Sequence, residues 1–446
     1  MNKDRYIAAL EIGSSKITAI VGKTTDRGEL DIIAVEQETG TEMVRYGIIQ
    51  NLEETSIRIS RIIERLEHRS SIAPRKISAL FIGLAGRSLG SVPTEVGIRL
   101  PEETEVNDEI LRRLGNDVWR TQVPTPLEIV DAVPRTYRIG KQETRSPIGV
   151  LATAISATYD LITCRPEIKR NIERTLRDKL HLDIGGYVVT ALATGHLILS
   201  NDEKRLGCML VDLGAETTTV TIYKNGNLAY FATIPLGSRN ITRDLTSLGG
   251  ILEEGAEEVK CTSANAIPSE KVSTLTVSGL KISDVSNIVV ARSEEIIANI
   301  IEQISYAGLK EQDLPGGIIA IGGGFKMNGM IDLLSRQANL PVRKGRLPNY
   351  VTLHDIHYPA EDLLQAISIL YAGTTHTDIV CLEEPEEREL PQLGEANPEE
   401  MPEEETPDTG KSPRKSRGGG FFSKFAAKVG NIFATNDEDE DDDELL

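Results

Sequence analysis

The sequence predicts an α/β body followed by a nonglobular C-terminal region. In the body, helical patterns alternate with short apolar runs; a helix-like segment at 55–67, for example, precedes an apolar run at 77–82. The chain has 446 residues, enough for about three domains or subdomains. From Leu382 the pattern changes, because residues 382–417 contain six prolines and many glutamates but no apolar period. Such a segment cannot bury enough surface to offset its ordering entropy, so we expect a disordered linker there.

Charge is distributed unevenly along the chain. The formal net charge is −19, which disfavours nonspecific binding to nucleic acid, and we expect no nucleic-acid partner. Residues 382–446 hold 20 acidic and 7 basic side chains, and therefore most of the excess negative charge. Four cysteines without a CxxC spacing predict neither disulfides nor a zinc site, and fit a reducing cytosol. We expect no cleaved signal and no membrane-spanning helix, because no stretch approaches about 18 apolar residues.

One motif occurs twice in the body, at an offset of 201 residues. The two copies are Glu11-Ile12-Gly13-Ser14-Ser15-Lys16 and Asp212-Leu213-Gly214-Ala215-Glu216-Thr217. Each lies between two apolar runs and is predicted to be a β-hairpin with glycine at its turn. Consecutive N–H groups in such a turn can bind anionic oxygens, and the opening carboxylates suit a hydrated Mg²⁺. Two facing hairpins would hold a polyphosphate, although acid-x-Gly turns are also common in hairpins without a ligand.

A third element is an apolar strand at 318–321 that ends in three glycines, Gly322, Gly323 and Gly324, before a helix-like segment at 330–337. Glycine lets the backbone approach a ligand closely, and a helix N-terminus offers unpaired N–H groups. The element lacks the Gly-Lys-Ser/Thr of a P-loop. A plain strand-to-helix turn is the alternative interpretation.

Together these three elements resemble the ATPase superfamily of actin, Hsp70 and sugar kinases, and within it the FtsA family of bacterial cell-division proteins. The resemblance covers about residues 5–380 and 420–434. It implies an actin-like two-domain fold with an inserted small α+β subdomain, followed by the linker and a C-terminal amphipathic helix. It also implies ATP and Mg²⁺ as cofactors, with Glu11 and Asp212 holding Mg²⁺ through water. The implied nucleotide-binding residues are Gly13, Ser14, Ser15, Lys16, Asp212, Gly214, Thr217, Asn240, Glu257, Lys260, Gly322, Gly323 and Gly324.

The same resemblance implies the domain boundaries. These are 1–83, 164–205 and 352–381 for the first actin-like domain, 84–163 for the inserted subdomain, 206–250 and 312–351 for the second domain, and 251–311 for its smaller lobe. The linker at 382–417, the helix at 418–435 and an acidic tail at 436–446 follow. For Glu257 and Lys260, an exposed ion pair on a helix is the alternative to a place beside the nucleoside.

We expect slow or negligible ATP hydrolysis because of the residue types in a helix-like region at 184–199. Actin places a water-orienting amide in the corresponding region, whereas this one offers Thr190, Thr194 and His196 but no carboxamide or acid. Glu216 would repel a triphosphate unless its side chain points away. The nucleotide would then serve mainly to set the conformation.

The segment at 418–435 has the pattern of an interfacial membrane helix. On a helical wheel, its six large apolar side chains share about one third of the circumference, flanked by two lysines. The residues concerned are Phe421, Phe422, Phe425, Val429, Ile432 and Phe433, with Lys424 and Lys428 at the edge. Docking on the body of the protein is the alternative, but a linker of some 36 residues does not require the helix to return.

The sequence therefore predicts an ATP-binding, actin-like adaptor of the division septum. By resemblance it would lie on the cytoplasmic face of the inner membrane as a peripheral protein, bound to anionic phospholipid. It would polymerise there and tether the tubulin-like FtsZ, whose C-terminal peptide would bind the smaller lobe at 251–311. The inserted subdomain would recruit other division proteins. A sugar or acetate kinase of the same superfamily is the alternative, which would need a catalytic aspartate in the cleft.

Overall fold

Two mixed β-sheets, of six and nine strands, organise the described part of the chain. The computed structural model describes residues 5–25, 28–40, 42–267, 276–277 and 280–384. Over those residues, every helix is too short or too polar to cross a membrane.

The strands of the first half are β1 (Tyr6–Ile12), β2 (Lys16–Thr24), β3 (Leu30–Thr39), β4 (Val44–Arg45), β5 (Ile48–Ile49), β6 (Lys76–Ile77), β7 (Ala79–Leu84), β8 (Gly90–Glu105), β9 (Glu128–Ile139), β10 (Gln142–Thr144), β11 (Leu151–Cys164) and β12 (Asp183–Val189). Those of the second half are β13 (Cys208–Leu213), β14 (Thr218–Lys224), β15 (Asn227–Ile234), β16 (Thr276–Val277), β17 (Leu280–Lys281), β18 (Ile318–Ile321), β19 (Val342–Lys344), β20 (Val351–Leu353) and β21 (Leu382–Glu383).

The α-helices are α1 (Leu52–Glu67), α2 (Asp108–Val118), α3 (Glu167–Glu173), α4 (Thr190–Ile198), α5 (Asn201–Leu206), α6 (Arg239–Gly249), α7 (Glu253–Thr262), α8 (Ile282–Tyr306), α9 (Met330–Ala338) and α10 (Leu364–Gly373). A wider π-helical stretch continues α3 over Arg174–Lys179, and short 3₁₀ turns occur at Glu311–Asp313, Gly323–Lys326 and Ala360–Asp362.

The two sheets repeat one topology. In the first sheet, β12, β7, β1, β2 and β3 are neighbours in that order; in the second, β19, β18, β13, β14 and β15 follow the same order. In each, the hairpin strand pairs parallel to the strand that follows a helical connection, and antiparallel to the other hairpin strand. The sequence repeat at an offset of 201 residues is thus part of a duplicated fold, and the predicted α/β class is confirmed.

Local signals explain most of these elements. Asn51 caps α1 by accepting a hydrogen bond from the Glu54 N–H, and the apolar face of that helix is buried. The helix predicted at 184–199 is wrong in its first part, which forms β12. Two glycines and two valines disfavour a helix there, and β12 instead pairs parallel to β7.

Three hydrophobic clusters stabilise the part of the chain that the structure describes. The first surrounds the six-stranded sheet with α1, α4 and α10, the second joins the nine-stranded sheet to α6–α9, and the third packs α2 against β8, β9 and β11. Buried side chains of β13 and β18, such as Leu210 and Ile319, belong to the first cluster. The two sheets are therefore joined through α4 and α10, which pack on β14 and on β1, respectively.

The predicted inserted subdomain, called the insertion (residues 84–163) below, is attached to both sheets. Its chain leaves and re-enters the first sheet, yet its strand β8 pairs with β15 of the second through Gly90 and Ala232. Arg135 of β9 donates to the carbonyl oxygens of Leu228 and Ala229, at 3.4 and 2.6 Å. No sequence pattern indicated this seam between the insertion and β15. The boundaries of the insertion remain a prediction.

The buried Asp160 of β11 lies beside Arg135 of this seam. It should make the free energy of unfolding depend on pH. Burial raises the pKa of its carboxyl to about 6, although the Arg135 guanidinium, 3.3 Å away, opposes the shift. Because the folded chain holds this proton more tightly than the unfolded chain, stability should fall as pH rises from about 4 to 6. Asp160→Asn should therefore raise the free energy of unfolding at pH 8 by about 2–3 kcal/mol.

Urea unfolding followed by circular dichroism at pH 8 and pH 4.5 would measure this effect. The gain from Asp160→Asn should shrink to less than half at pH 4.5. Asp117→Asn, on the exposed end of α2, serves as the control and should change stability by less than about 0.5 kcal/mol at both values. A gain that does not depend on pH would contradict the assignment.

Candidate functional site

The two repeated turns have the same backbone geometry. The Gly13 N–H donates to the Lys16 carbonyl oxygen at 2.9 Å, and the Gly214 N–H donates to the Thr217 carbonyl oxygen at 2.9 Å. A Cβ atom would lie 2.9 Å from the same oxygen at Gly13 and 3.0 Å from it at Gly214, so a side chain would clash at the first position and be tightly packed at the second. Both turns are therefore hairpins, as predicted. The tip residue Ser15 is exposed.

The carboxylates that open the two motifs influence one another across the cleft between the sheets. Burial raises the pKa of the Glu11 carboxyl to about 7; Lys16 opposes this shift, and Asp212 adds to it. Burial also raises the pKa of Asp212, against the effects of Gln365 and Lys16. Glu11 Oε2 and Asp212 Oδ1 are buried and accept no hydrogen bond from the described residues. Two such oxygens fit a divalent cation that prefers oxygen ligands and keeps several waters.

The described residues contain no group of three or more His, Cys, Asp or Glu side chains arranged around a common point as metal ligands. A cation held by Glu11 and Asp212 would thus depend on water and on ligand oxygens for the rest of its shell. Magnesium bound to a polyphosphate has this character, because it dehydrates reluctantly.

The start of α10 contributes side chains that sequence reasoning missed. Gln365 Nε2 donates to Asp212 Oδ2 at 2.8 Å, and Lys16 Nζ donates to the Asp362 carbonyl oxygen at 2.8 Å. The Asp362 carboxylate in turn pairs with Lys326, with 2.5 Å between Oδ1 and Nζ. These residues are separated by up to 346 positions in sequence, and no local pattern marks them. They connect the first turn, the second turn and the 3₁₀ turn Gly323–Lys326 across the cleft.

The region at 184–199 does lack a carboxamide, as the sequence indicated, but the fold supplies one from elsewhere. Gln365 reaches the second turn from α10. Thr194 donates to the Thr190 carbonyl oxygen within α4. Burial lowers the pKa of His196 to about 3, which leaves its ring neutral at physiological pH. Thr190 lines a small cavity together with Ala85 and Asp212.

The three glycines after β18 differ in what surrounds them. A Cβ atom at Gly322 would lie 2.5 Å from Asp212 Oδ1, and one at Gly324 would lie 2.3 Å from the Leu213 side chain. Gly322 also has a φ of +94°. Gly323 is exposed, and a Cβ atom there would meet nothing within 4 Å. Packing against β13 therefore explains Gly322 and Gly324, whereas only Gly323 is open to a ligand.

Glu257 and Lys260 of α7 form a hydrogen-bonded group with Thr242 of α6. Lys260 Nζ lies 2.7 Å from Glu257 Oε2 and donates to Thr242 Oγ1 at 3.0 Å. The Lys260 side chain is 10% exposed and that of Glu257 is 48% exposed, so the ion pair is buried at its lysine end and open to solvent at its carboxylate end. Although burial alone would raise the pKa of Glu257, hydrogen bonds from Lys260 and Thr242 lower it. The place of this pair beside a nucleoside stays a prediction.

Asn240 supports the second turn from the N-terminus of α6. Its Oδ1 accepts a hydrogen bond from the Gly237 N–H at 3.1 Å. The Ser238 and Arg239 N–H groups donate to the carbonyl oxygens of Gly214 and Ala215. The loop that contains Asn240 thus fixes the backbone of the turn.

Glu216, which would repel a triphosphate unless its side chain pointed away, is neutralised by two arginines. Its side chain is fully buried, and Oε1 lies 2.6 Å from Arg243 Nη2 and 3.3 Å from Arg239 Nη1. Arg239 Nη2 also donates to the Ser14 carbonyl oxygen of the first turn at 3.1 Å. A single guanidinium therefore bridges the two turns, which no sequence pattern indicated. The predicted membrane residues at 418–435 lie outside the described residues.

Comparisons with known proteins agree with this architecture. Residues 209–358 match the sequence model of a family described as cell division protein FtsA. The cell division protein FtsA of Porphyromonas gingivalis is 30% identical over 82% of this chain and 78% of its own length. The Bacillus subtilis protein of that name is 30% identical over 80% of this chain and 82% of its own.

A solved structure supports the fold. The PilM-PilN type IV pilus biogenesis complex contains a chain with a TM-score of 0.58 and 15% identity, and the likeness covers 82% of this chain and 98% of that one. At that identity the likeness concerns the fold alone. Together with the duplicated sheets and the facing turns, the relatives establish that the chain belongs to the FtsA family of cell division proteins.

Proposed function

We propose that this chain binds ATP with Mg²⁺ between its two turns, polymerises on the cytoplasmic face of the inner membrane and tethers FtsZ to that membrane at the septum. The observation that carries the nucleotide site is the pair of buried oxygens on Glu11 and Asp212 between two turns of the same geometry. Membership of the FtsA family supports the role in division. Recruitment of later division proteins belongs to the same proposal.

In the nucleotide site, the residues of the chain would bind and orient the phosphates. The tips of the two turns would offer N–H groups to the phosphate oxygens, and Lys16 would leave the Asp362 carbonyl for a phosphate. Glu11 and Asp212 would hold Mg²⁺ through water, and the cation would neutralise phosphate charge. Gly323 would let the nucleoside approach the backbone, with Glu257 and Lys260 at its border. We expect slow hydrolysis, because the region at 184–199 offers no carboxamide or acid to orient water and the Gln365 amide is bonded to Asp212.

The membrane contact would come from the amphipathic segment at 418–435. Burial of its six large apolar side chains could yield several kcal/mol, and each lysine adds about 1 kcal/mol near an anionic leaflet. Ordering of a dozen residues costs about as much, at roughly 1–2 kcal/mol for each backbone. A single copy should therefore bind weakly. Polymerisation would make attachment firm, because linked copies share a high effective concentration.

Phe425→Glu combined with Phe433→Glu should abolish co-sedimentation of the full chain with anionic liposomes. Two charges in the apolar stripe oppose insertion, whereas the nucleotide site lies elsewhere, so ATP binding should remain within about twofold. Recruitment of FtsZ to the same liposomes should be lost together with sedimentation. Ser423→Glu, on the polar side of the helix, is the matched control and should weaken sedimentation much less.

Unchanged sedimentation of the double variant would contradict the membrane contact. Sedimentation without recruitment of FtsZ by the wild type would contradict tethering but leave the membrane contact in place. Rapid phosphoryl transfer to a sugar or to acetate would favour the kinase alternative.

A further inference from the structure

We propose that Glu216 is a positioning residue that fixes the spacing of the two turns and passes changes in that spacing to the base of the insertion. The inference rests on the proposed nucleotide site and adds to it a route by which an occupied site would alter a distant surface. Its basis is a series of hydrogen bonds from Glu216 through Tyr46 to Arg87, beside a close contact between Gly47 and residues 85–86.

Glu216 makes a contact with the other side of the cleft. Its Oε1 is held by Arg239 and Arg243 of α6, while its Oε2 accepts the N–H of Tyr46 at 2.7 Å. Tyr46 follows β4 and belongs to the part of the chain that surrounds the first sheet. The buried Glu216 carboxylate thus links the second turn to α6 and to Tyr46 beside the first sheet.

The backbone of Tyr46 has a conformation that is unfavourable for a bulky residue. Its φ is +50°, a value that a bulky side chain rarely adopts outside a constrained site. The Glu216 carboxylate accepts its N–H, and its carbonyl oxygen accepts the Arg87 N–H at 3.0 Å. The two-residue turn between β4 and β5 sets this conformation, since Tyr46 and Gly47 both have a positive φ. The two bonds tie that turn to Glu216 on one side and to Arg87 on the other, so loss of the first should loosen the turn.

Tyr46 and Gly47 are in contact with the first residues of the insertion. The Arg87 guanidinium lies over the Tyr46 ring, 5.1 Å from its centre. A Cβ atom at Gly47 would lie only 2.3 Å from the Gly86 Cα atom, so the two backbones are in close contact. β8, the strand that forms the seam with β15, begins three residues after Arg87. Movement of Tyr46 must therefore displace the base of the insertion.

Arg239 links Glu216 to the first turn. Arg239 pairs with Glu216 and also donates to the Ser14 carbonyl oxygen. If a polyphosphate draws the two turns together or separates them, Arg239 and Glu216 must move with respect to Tyr46. The bridge is charged, buried and close-packed, and such a contact tends to be either made or broken rather than gradually stretched.

Glu216→Asp tests this route because it keeps the charge but shortens the side chain by one methylene. The aspartate can still pair with the arginines of α6 but cannot reach them and Tyr46 at once. In the full chain without nucleotide, hydrogen exchange of peptides covering residues 43–47 should become at least tenfold faster than in the wild type. With ATP and Mg²⁺, the wild type should show a change in exchange at residues 84–89, and Glu216→Asp should lose that change while it still binds ATP.

Glu294→Asp, at an exposed position of α8, is the matched control and should behave like the wild type. If Glu216→Asp does not fold, Arg243→Met removes one of the two guanidinium partners and should give an intermediate loss of the ATP response. A Glu216→Asp protein that keeps the full ATP response at residues 84–89 would overturn the proposal.

The experiment separates this proposal from the proposed function. If the wild type does not bind ATP, the proposed function fails, and exchange without nucleotide then decides whether Glu216 holds residue 46. Faster exchange at 43–47 in the variant would support the positioning role, and unchanged exchange would overturn it.

Discussion

Gly322→Ala should destabilise the chain by about 3 kcal/mol or more, a loss that few single substitutions reach. The added methyl group would lie 2.5 Å from both Asp212 Oδ1 and the Leu213 carbonyl oxygen, at a φ of +94°. Backbone strain costs about 1–3 kcal/mol, and forced overpacking costs a similar amount. Urea unfolding followed by circular dichroism would measure the loss as a lower midpoint.

Gly323→Ala is the matched control, one residue away in the same triplet. A methyl group there meets nothing within 4 Å, so stability should change by less than about 0.5 kcal/mol. Affinity for ATP should nevertheless fall, because the methyl group would stand where we expect the nucleoside to approach. An unchanged unfolding midpoint for Gly322→Ala would contradict the close approach of β18 and β13, and unchanged ATP affinity for Gly323→Ala would contradict the position of the nucleoside.

Asp212→Asn should lower the affinity for ATP with Mg²⁺ about 100-fold, equivalent to about 2.7 kcal/mol, the range of a contact to a charged group. The same substitution should stabilise the nucleotide-free chain. Burial raises the pKa of Asp212, so the folded environment favours a neutral side chain, and the asparagine can still accept the hydrogen bond from Gln365. Isothermal titration calorimetry and thermal unfolding would measure the two opposite effects.

Asp332→Asn, on the exposed side of α9, is the control and should alter neither quantity. If Asp212→Asn unfolds more easily than the wild type without nucleotide, the carboxylate stabilises the fold through its hydrogen bonds. The expectation that its burial is unfavourable would then be wrong. Full ATP affinity in Asp212→Asn would exclude the proposed cation site.

The sequence predicted the two turns because a hairpin needs only local information. A strand, a glycine with little room for a side chain and a second strand are adjacent in sequence, and the motif occurs twice. Glu11 and Asp212 can therefore be recognised as a pair from the amino-acid sequence alone. Only the first part of the helix predicted at 184–199 is wrong, since residues 190–198 form α4. The glycines and valines of that first part disfavour a helix, and its place in the sheet depends on pairing with β7, a strand about 100 residues earlier.

Gln365, Asp362 and Arg239 could not be identified in this way. Gln365 lies on the mostly buried, apolar helix α10, Asp362 in a short 3₁₀ turn and Arg239 at the start of α6, and none of these local sequences indicates which distant residue is contacted. Their partners are between 23 and 346 positions away, and a single sequence contains no signal of such distances. Glu216 illustrates the same limit, because its charge alone suggests repulsion of phosphate, whereas the fold places two arginines beside it.

If the proposed route operates, the seam between β8 and β15 would be the axis of a lever formed by the insertion. From β8 through β11 and β9 to β10 there are three interstrand steps of about 4.8 Å, which gives an arm of about 14 Å. Each rotation of about 10° about the seam would then move the outer strand by about 2.5 Å, almost the length of a hydrogen bond. A small adjustment in the cleft would thereby be amplified into a displacement large enough to make or break contacts with a neighbouring molecule.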